Sequence, residues 1–263
     1  MIKKRFILFL VIPVIFVLQS CSSMYIPAIR SIPLLEKKGE FQAETGVSTN
    51  SIYANSSYAF TDKIAASING NLSYRNFSSR YDMLTDVNTP DPSGWFTPDW
   101  RGRYAHRYGE VSVGGINMSP TSRMKFEMFG GMGMGRATDI DHFNNDNRYK
   151  SDYYSFLVQG NLGLKKRIVE TGGSLRLAYS WFNYTANIYD RSEYILYHYK
   201  FGAVHVEPMF FARIGKGNLK VVGRIGINFA LIINPEEKYS DLRDFYSNGV
   251  FDNTLLHFSI GLS

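Results

Sequence analysis

The run Ile64 to Arg75, IAASINGNLSYR, alternates without a break. Ile64, Ala66, Ile68, Gly70, Leu72 and Tyr74 fall on one side; Ala65, Ser67, Asn69, Asn71, Ser73 and Arg75 fall on the other. A period of two over twelve residues predicts a strand with different surroundings on its two faces. At about 3.3 Å per residue and a tilt of about 40°, about ten such residues cross a bilayer core of about 30 Å. A single membrane strand cannot exist, because its N–H and C=O groups would face hydrocarbon unpaired. The rest of the chain must therefore repeat the pattern.

It does. Before the run, residues 39–49 put Phe41, Ala43, Thr45 and Val47 on one side, and 51–60 do the same with Ile52, Ala54, Tyr58 and Phe60. After it come 104–118, 124–136 with Phe126, Met128, Met132 and Met134, and 152–164 with Tyr154, Phe156, Val158 and Leu162. Four more runs carry Leu175 to Trp181, Val204 to Ile214, Val221 to Leu231 and Leu256 to Leu262. Ten strands result, an even number. After a short first hairpin near Asn50, the connections alternate between short and longer. Thr61 to Lys63, the Pro120 turn, 165–172 and Gly215 to Asn218 are short, whereas 76–103, 137–150, 189–199 and 234–252 are longer. Outer-membrane barrels alternate in this way, with short periplasmic turns and longer extracellular loops.

These features predict an all-β fold, a ten-stranded antiparallel up-and-down transmembrane β-barrel, over residues 39–263. The competing fold is a soluble barrel or sandwich with its apolar faces inward. Against it stand the charges Glu40, Glu44, Glu110, Glu127, Arg176, Glu207, Arg213 and Arg224 on the inferred inner faces. Strands of about 10 to 14 residues also exceed the usual five or six. Aromatic residues are 15% of the chain, as belts of Tyr and Phe would require.

Residues 1–20 are a separate object. Lys3, Lys4 and Arg5 precede an apolar core from Phe6 to Leu18, the layout of a signal peptide. The end of this segment, Leu18-Gln19-Ser20-Cys21, resembles a bacterial lipobox. That resemblance implies a lipoprotein signal peptide, with cleavage before Cys21 and lipid (palmitate among the acyl groups) on Cys21. Residues 21–38 then read as a lipidated tether. Cys21 is the only cysteine, so its acylation leaves no thiol for a disulfide, a nucleophile or a metal site. Losing Lys3, Lys4 and Arg5 takes 29 basic residues to 26 against 23 acidic ones. So small an excess gives no support to nucleic-acid binding.

Tyr25-Ile26-Pro27, Pro33-Leu34-Leu35 and Lys38-Gly39-Glu40-Phe41-Gln42-Ala43 follow the lipobox, and Tyr58-Ala59-Phe60-Thr61-Asp62-Lys63-Ile64 comes later. Over about residues 21 to 70 these stretches resemble a lipobox-bearing outer-membrane β-barrel family of Bacteroidetes-type Gram-negative bacteria. The resemblance implies fold and location, and no activity.

Several groups merit weighing for chemistry. Asp139, Asp141 and His142 form an acidic, Asn-rich patch that is a weak candidate for metal binding or for rim hydrolysis. Its spacing lacks the central Gly and terminal Glu of a calcium loop. The lumen charges Glu40, Glu44, Arg75, Arg176, His205, Glu207, Arg213 and Arg224 could form a proton-sensing or ion-selective lining. The alternative is an ion-paired filling in a lumen too narrow for solutes. Ser259 and His257 share an inward face, away from lipid. Gly130 to Gly135 sits inside an alternating strand and reads as curvature and close packing. Trp95 and Trp100, in the first long connection, are candidates for surface contact.

The expectation is an outer-membrane barrel lipoprotein with a structural or surface-interaction role, no catalysis and no cofactor. A narrow pore or transporter comes second and an outer-membrane hydrolase third. Its expected partners are outer-membrane lipid and lipopolysaccharide, with an envelope protein or host surface left open. Lipid at Cys21 and both termini are expected on the periplasmic side.

Overall fold

The computed structural model describes Tyr25 and residues 28–48, 51–73, 105–118, 124–141, 147–190, 193–217, 219–233 and 254–263. They contain β1 (Phe41–Ser48), β2 (Ser51–Ala59), β3 (Ile64–Ser73), β4 (Ala105–Gly115) and β5 (Met124–Asp141). β6 (Asn147–Lys165), β7 (Val169–Asp190), β8 (Glu193–Lys216), β9 (Leu219–Ile233) and β10 (Thr254–Leu262) follow. Each strand pairs antiparallel with its neighbours in sequence, and β1 closes on β10, where Thr45 to Ser48 face Leu262 to Ser259. The fold is a closed ten-stranded antiparallel barrel, as the alternation predicts.

The pleat sorts the side chains. In β3, Ile64, Ile68 and Leu72 are exposed, while Ala65, Ser67, Asn69 and Asn71 are buried. The other strands follow suit, with Met128, Met132, Phe156, Leu177, Phe210 and Leu231 outside and Glu127, Gln159, Arg176, Glu207 and Asn228 inside. Apolar rows facing outward around a polar interior invert the arrangement of a water-soluble barrel.

One end, called lower here, holds the turns after Ala59, Lys165 and Lys216 together with Ser263, which exchanges hydrogen bonds with Lys220 at 2.7 and 2.8 Å. Gly217 there takes a φ of +74°, a region that glycine enters without steric cost. At the upper end β5 to β8 are 18, 19, 22 and 24 residues long and rise as a wall above the rest. This corrects two expected connections. β5 runs to Asp141 and β6 starts at Asn147, so most of 137–150 is strand. β7 runs to Asp190 and β8 starts at Glu193, with Tyr189 opposite Tyr194, so 189–199 is also mostly strand. Beyond Trp181 the outward residues of β7 turn to Asn183, Thr185 and Asn187 while Phe182, Tyr184 and Ala186 are buried inside, so the polarity of the two faces reverses as the ladder continues.

The row at which this happens is shared. Gly109, Met134, Tyr154, Trp181 and Gly202 stand opposite one another across β4 to β8. The next outward row up is Arg107, Arg136, Asp152, Asn183 and Lys200. Below the first row the outer face is apolar down to Met124 and Leu164.

Candidate functional site in the barrel lumen

The segment expected to be a tether is the centre of the lumen. Tyr25, Ala28, Ile29, Arg30, Ser31, Ile32, Leu34 and Leu35 are all buried, the Arg30 side chain completely. A hydrated tether has no use for four large aliphatic side chains within seven residues, and this was the signal in the sequence. The reason for the correction is packing. Ser31 N–H donates to Asn69 Oδ1 at 3.0 Å, Asn55 Nδ2 donates to the Ile29 carbonyl at 2.7 Å, and Gln159 Nε2 to the Ser31 carbonyl at 2.9 Å. These partners come from β3, β2 and β6, so the segment runs through the middle of the barrel.

Its direction is fixed at both ends. Leu34 and Leu35 lie low, Leu34 against Gly163, where an added Cβ would come within 2.5 Å of it. Gly39, at φ +80°, then turns the chain into β1, donating its N–H to the Ala59 carbonyl at 2.8 Å. Tyr25 lies high, stacked on His205 at 3.9 Å and packed with Tyr153 and Phe182 in an aromatic cluster that includes Tyr184, Tyr199 and Phe201. Gly135 leaves room for this cluster, since a Cβ there would lie 2.2 Å from Tyr153 Cζ. The Gly-rich run of β5 thus serves close packing, as its alternation suggested.

Three polar centres hold the segment. In the first, Arg30 Nη1 lies 3.0 Å from Glu207 Oε2, its Nε donates to Ser174 Oγ at 3.0 Å, and its Nη2 donates to the Glu207 carbonyl. Tyr25 Oη donates to Glu207 Oε1 at 2.7 Å. Arg176 Nε donates to Glu207 Oε2 at 2.6 Å, and its Nη1 reaches Glu110 Oε2 at 2.8 Å. Asn69 and Tyr108 complete Glu110, each at 2.8 Å. The β8–β9 register pauses at Glu207 and Pro208 between Val206 and Met209. Proline supplies no N–H to a ladder, and Arg30 takes up the carbonyl beside it.

In the second centre Arg224 forms a two-pronged pair with Glu44, and its Nη1 also donates to Tyr53 Oη at 3.1 Å. Arg213 lies between Glu170 at 3.2 Å and Glu44 at 3.7 Å, and donates to the Ile32 carbonyl at 2.5 Å. Lys220 Nζ completes Glu170 at 2.5 Å. In the third, Glu127 accepts from Leu35 N–H at 2.8 Å and Asn161 Nδ2 at 3.0 Å. Below it Lys165 bridges Glu40 at 3.2 Å and Glu36 at 3.6 Å.

Of the expected lumen charges, Glu44, Arg176, Glu207, Arg213 and Arg224 are therefore in these centres. His205 is inward beside them, with Nδ1 3.3 Å from Asn228 Oδ1. Glu40 sits at the lower mouth, partly exposed. Burial pushes its carboxyl up, but the Glu36 N–H, at 2.6 Å, and the Lys165 ammonium outweigh this and hold it below its usual range. Both carboxylate oxygens of Glu44, Glu110 and Glu207 are engaged, each with an arginine among the partners, which suits groups that neutralise one another away from water, whereas those of Glu127 meet neutral N–H donors. Arg30 and Glu170 were missed in the sequence, Arg30 because its segment shows no alternation.

Asp139 and Asp141 lie in β5 opposite Tyr149 and Asn147 on one face, and of Asp141 only the backbone is described. Among the described residues no three His, Cys, Asp or Glu side chains gather as metal ligands. Ser259 is inward and buried. Cys21, Arg75, Trp95, Trp100 and His142 lie outside the described residues, as do the connections 76–103 and 234–252. No family model matches the chain, and no curated protein is significantly similar to it.

Proposed function

We propose that the chain is an outer-membrane β-barrel lipoprotein whose lumen is filled by its own N-terminal segment, with a structural or surface-interaction role. The observation that carries this reading is that Tyr25 and residues 28–35 lie inside the barrel, fastened to Glu207, Glu127 and Arg213. A lumen occupied by packed chain and paired charges favours this role over a pore.

The outer face supports the membrane location. From Leu164 to Tyr154 the apolar row of β6 spans ten residues, about 33 Å along a strand and about 25 Å in height at a tilt of about 40°. That is the height of the apolar band on such barrels. Tyr154 and Trp181 stand at its upper edge, where aromatic girdles sit. The resemblance of residues 21 to 70 to an outer-membrane family points the same way. Contacts with a partner would fall to the connections 76–103, with Trp95 and Trp100, and 234–252.

The position of Tyr25 favours an anchor at the end of the barrel opposite to the expected one. Four residues reach at most about 14 Å, less than the height of the band. A lipid on Cys21 would therefore sit at the upper mouth, on the outer leaflet, while Ser263 stays on the periplasmic side.

The test is conductance in planar bilayers with the full-length, detergent-extracted protein, alongside heat-modifiable gel migration. Heat-modifiable migration without conductance steps is expected. Regular steps would overturn the filled lumen, and a chain that stays in solution without detergent would overturn the membrane location.

A further inference from the structure

We propose that the outer face of the β4–β8 wall is a binding site for an acyl lipid with a phosphate-bearing headgroup; this rests on the membrane reading above. Two independent observations on the same strands carry it. The first is charge. In the rows just above Tyr154 and Trp181, Arg107 stands opposite Arg136, Arg136 opposite Asp152, and Asn183 opposite Lys200. One row higher on β6 is Lys150, and Arg148 follows it, both exposed. Five cations thus face outward, with Asp152 the one carboxylate among the residues of these rows. Asp152 is shared between Arg136 and Lys150 Nζ, the latter at 3.0 Å, and it spaces the cations without cancelling them.

The second is shape. On the same face lies a shallow apolar depression of about 270 Å³, bordered by Phe156, Val158, Leu177, Tyr179 and Val204. Phe156, Tyr179 and Val204 are opposite one another, four residues below the Asp152 row, or about 13 Å along the strand. A molecule with fixed negative charge at one end and a hydrocarbon chain at the other matches both features. Phosphate oxygens take up the guanidinium and ammonium donors, and the chain lies in the depression. The occupant is a membrane lipid because the depression and the cations are complementary to two parts of one molecule.

The cations are spread over four strands and have few hydrogen bonds that hold the barrel, so they can be removed without touching the lumen. The experiment titrates detergent-solubilised protein with a bisphosphorylated lipid A, with its dephosphorylated form and with inorganic phosphate. The wild type and the triple variant Arg136→Gln, Lys150→Gln, Lys200→Gln are compared. Expected is tight binding of the phosphorylated lipid alone and a loss of about tenfold or more in the variant, in line with the pull of each cation on an anionic surface. Equal binding by the variant, equal binding of the dephosphorylated lipid, or displacement by millimolar phosphate would each overturn the site. Heat-modifiable migration of both proteins keeps the membrane reading separate: if it is intact while lipid selectivity is lost, only this site fails.

Discussion

Arg30 and Glu207 are 177 residues apart in sequence and meet at 3.0 Å, with neither side chain reached by solvent. The pair ties the N-terminal segment to the longest strand of the barrel. Removing Arg30 leaves Glu207 sharing Arg176 with Glu110 and leaves the Glu207 carbonyl uncovered. Arg30→Ala should therefore cost about 3–5 kcal/mol. Arg30→Lys should fall between, since an ammonium cannot reproduce the fork. Urea midpoints read by gel migration check both, and a midpoint equal to the wild type for Arg30→Ala would show that the pair does not hold the segment.

The upward course of the segment predicts where the N-terminus is found. An epitope inserted after Ser23 should be reached by antibody on intact cells, whereas one added after Ser263 should need permeabilised cells. The opposite pattern would return the anchor to the periplasmic side.

Gly135 leaves the space that the Tyr153 ring occupies, and Tyr153 Oη lies 2.8 Å from His106 Nε2. Gly135→Val forces a rigid ring aside and should destabilise the barrel by about 1–3 kcal/mol. Gly130→Val, on the outer face, should cost less because only backbone at 3.9 Å lies near its Cβ. Equal midpoints for the two variants would contradict this packing.

The lower mouth should be sensitive to acid. The folded carboxyl of Glu40 titrates below its ordinary 4.5, so its stabilisation is complete above that value and is lost as pH falls through the folded value. At neutral pH, Glu40→Gln should raise protease cleavage near residues 36–40 compared with the wild type. The two should converge only once the pH has fallen through the folded value of Glu40, below its ordinary 4.5. A difference that persists in acid would mean that Glu40 acts through its shape and not its charge.

Period two was legible wherever the two faces of a strand differ in polarity. Ile64 to Ser73 and Met124 to Arg136 could be read directly, facing included. The extensions to Asp141 and Asp190 could not, because the outward apolar row that marks the lower strands stops at Trp181, and above it the aromatic residues Phe182 and Tyr184 face inward while backbone pairing, which leaves no compositional trace, goes on. The inward charges were legible as charges on the wrong side of apolar strands. Their shared partner was not. Arg30 lies in a stretch with two prolines and no period, and only the closed barrel brings Ser174, Glu207 and Arg176 to it.

The seam between β1 and β10 is the shortest ladder among the described residues and the natural place for the barrel to close. It pairs Thr45 to Ser48 against Leu262 to Ser259, and it joins the first and the tenth of the described strands. The residues inside precede β1 and are joined to it through the turn at Gly39. A seam that closed last would trap a segment already in place, with Arg30 paired to Glu207 before the cylinder was complete. In that order of events the N-terminal segment would be the template on which the cylinder is wound.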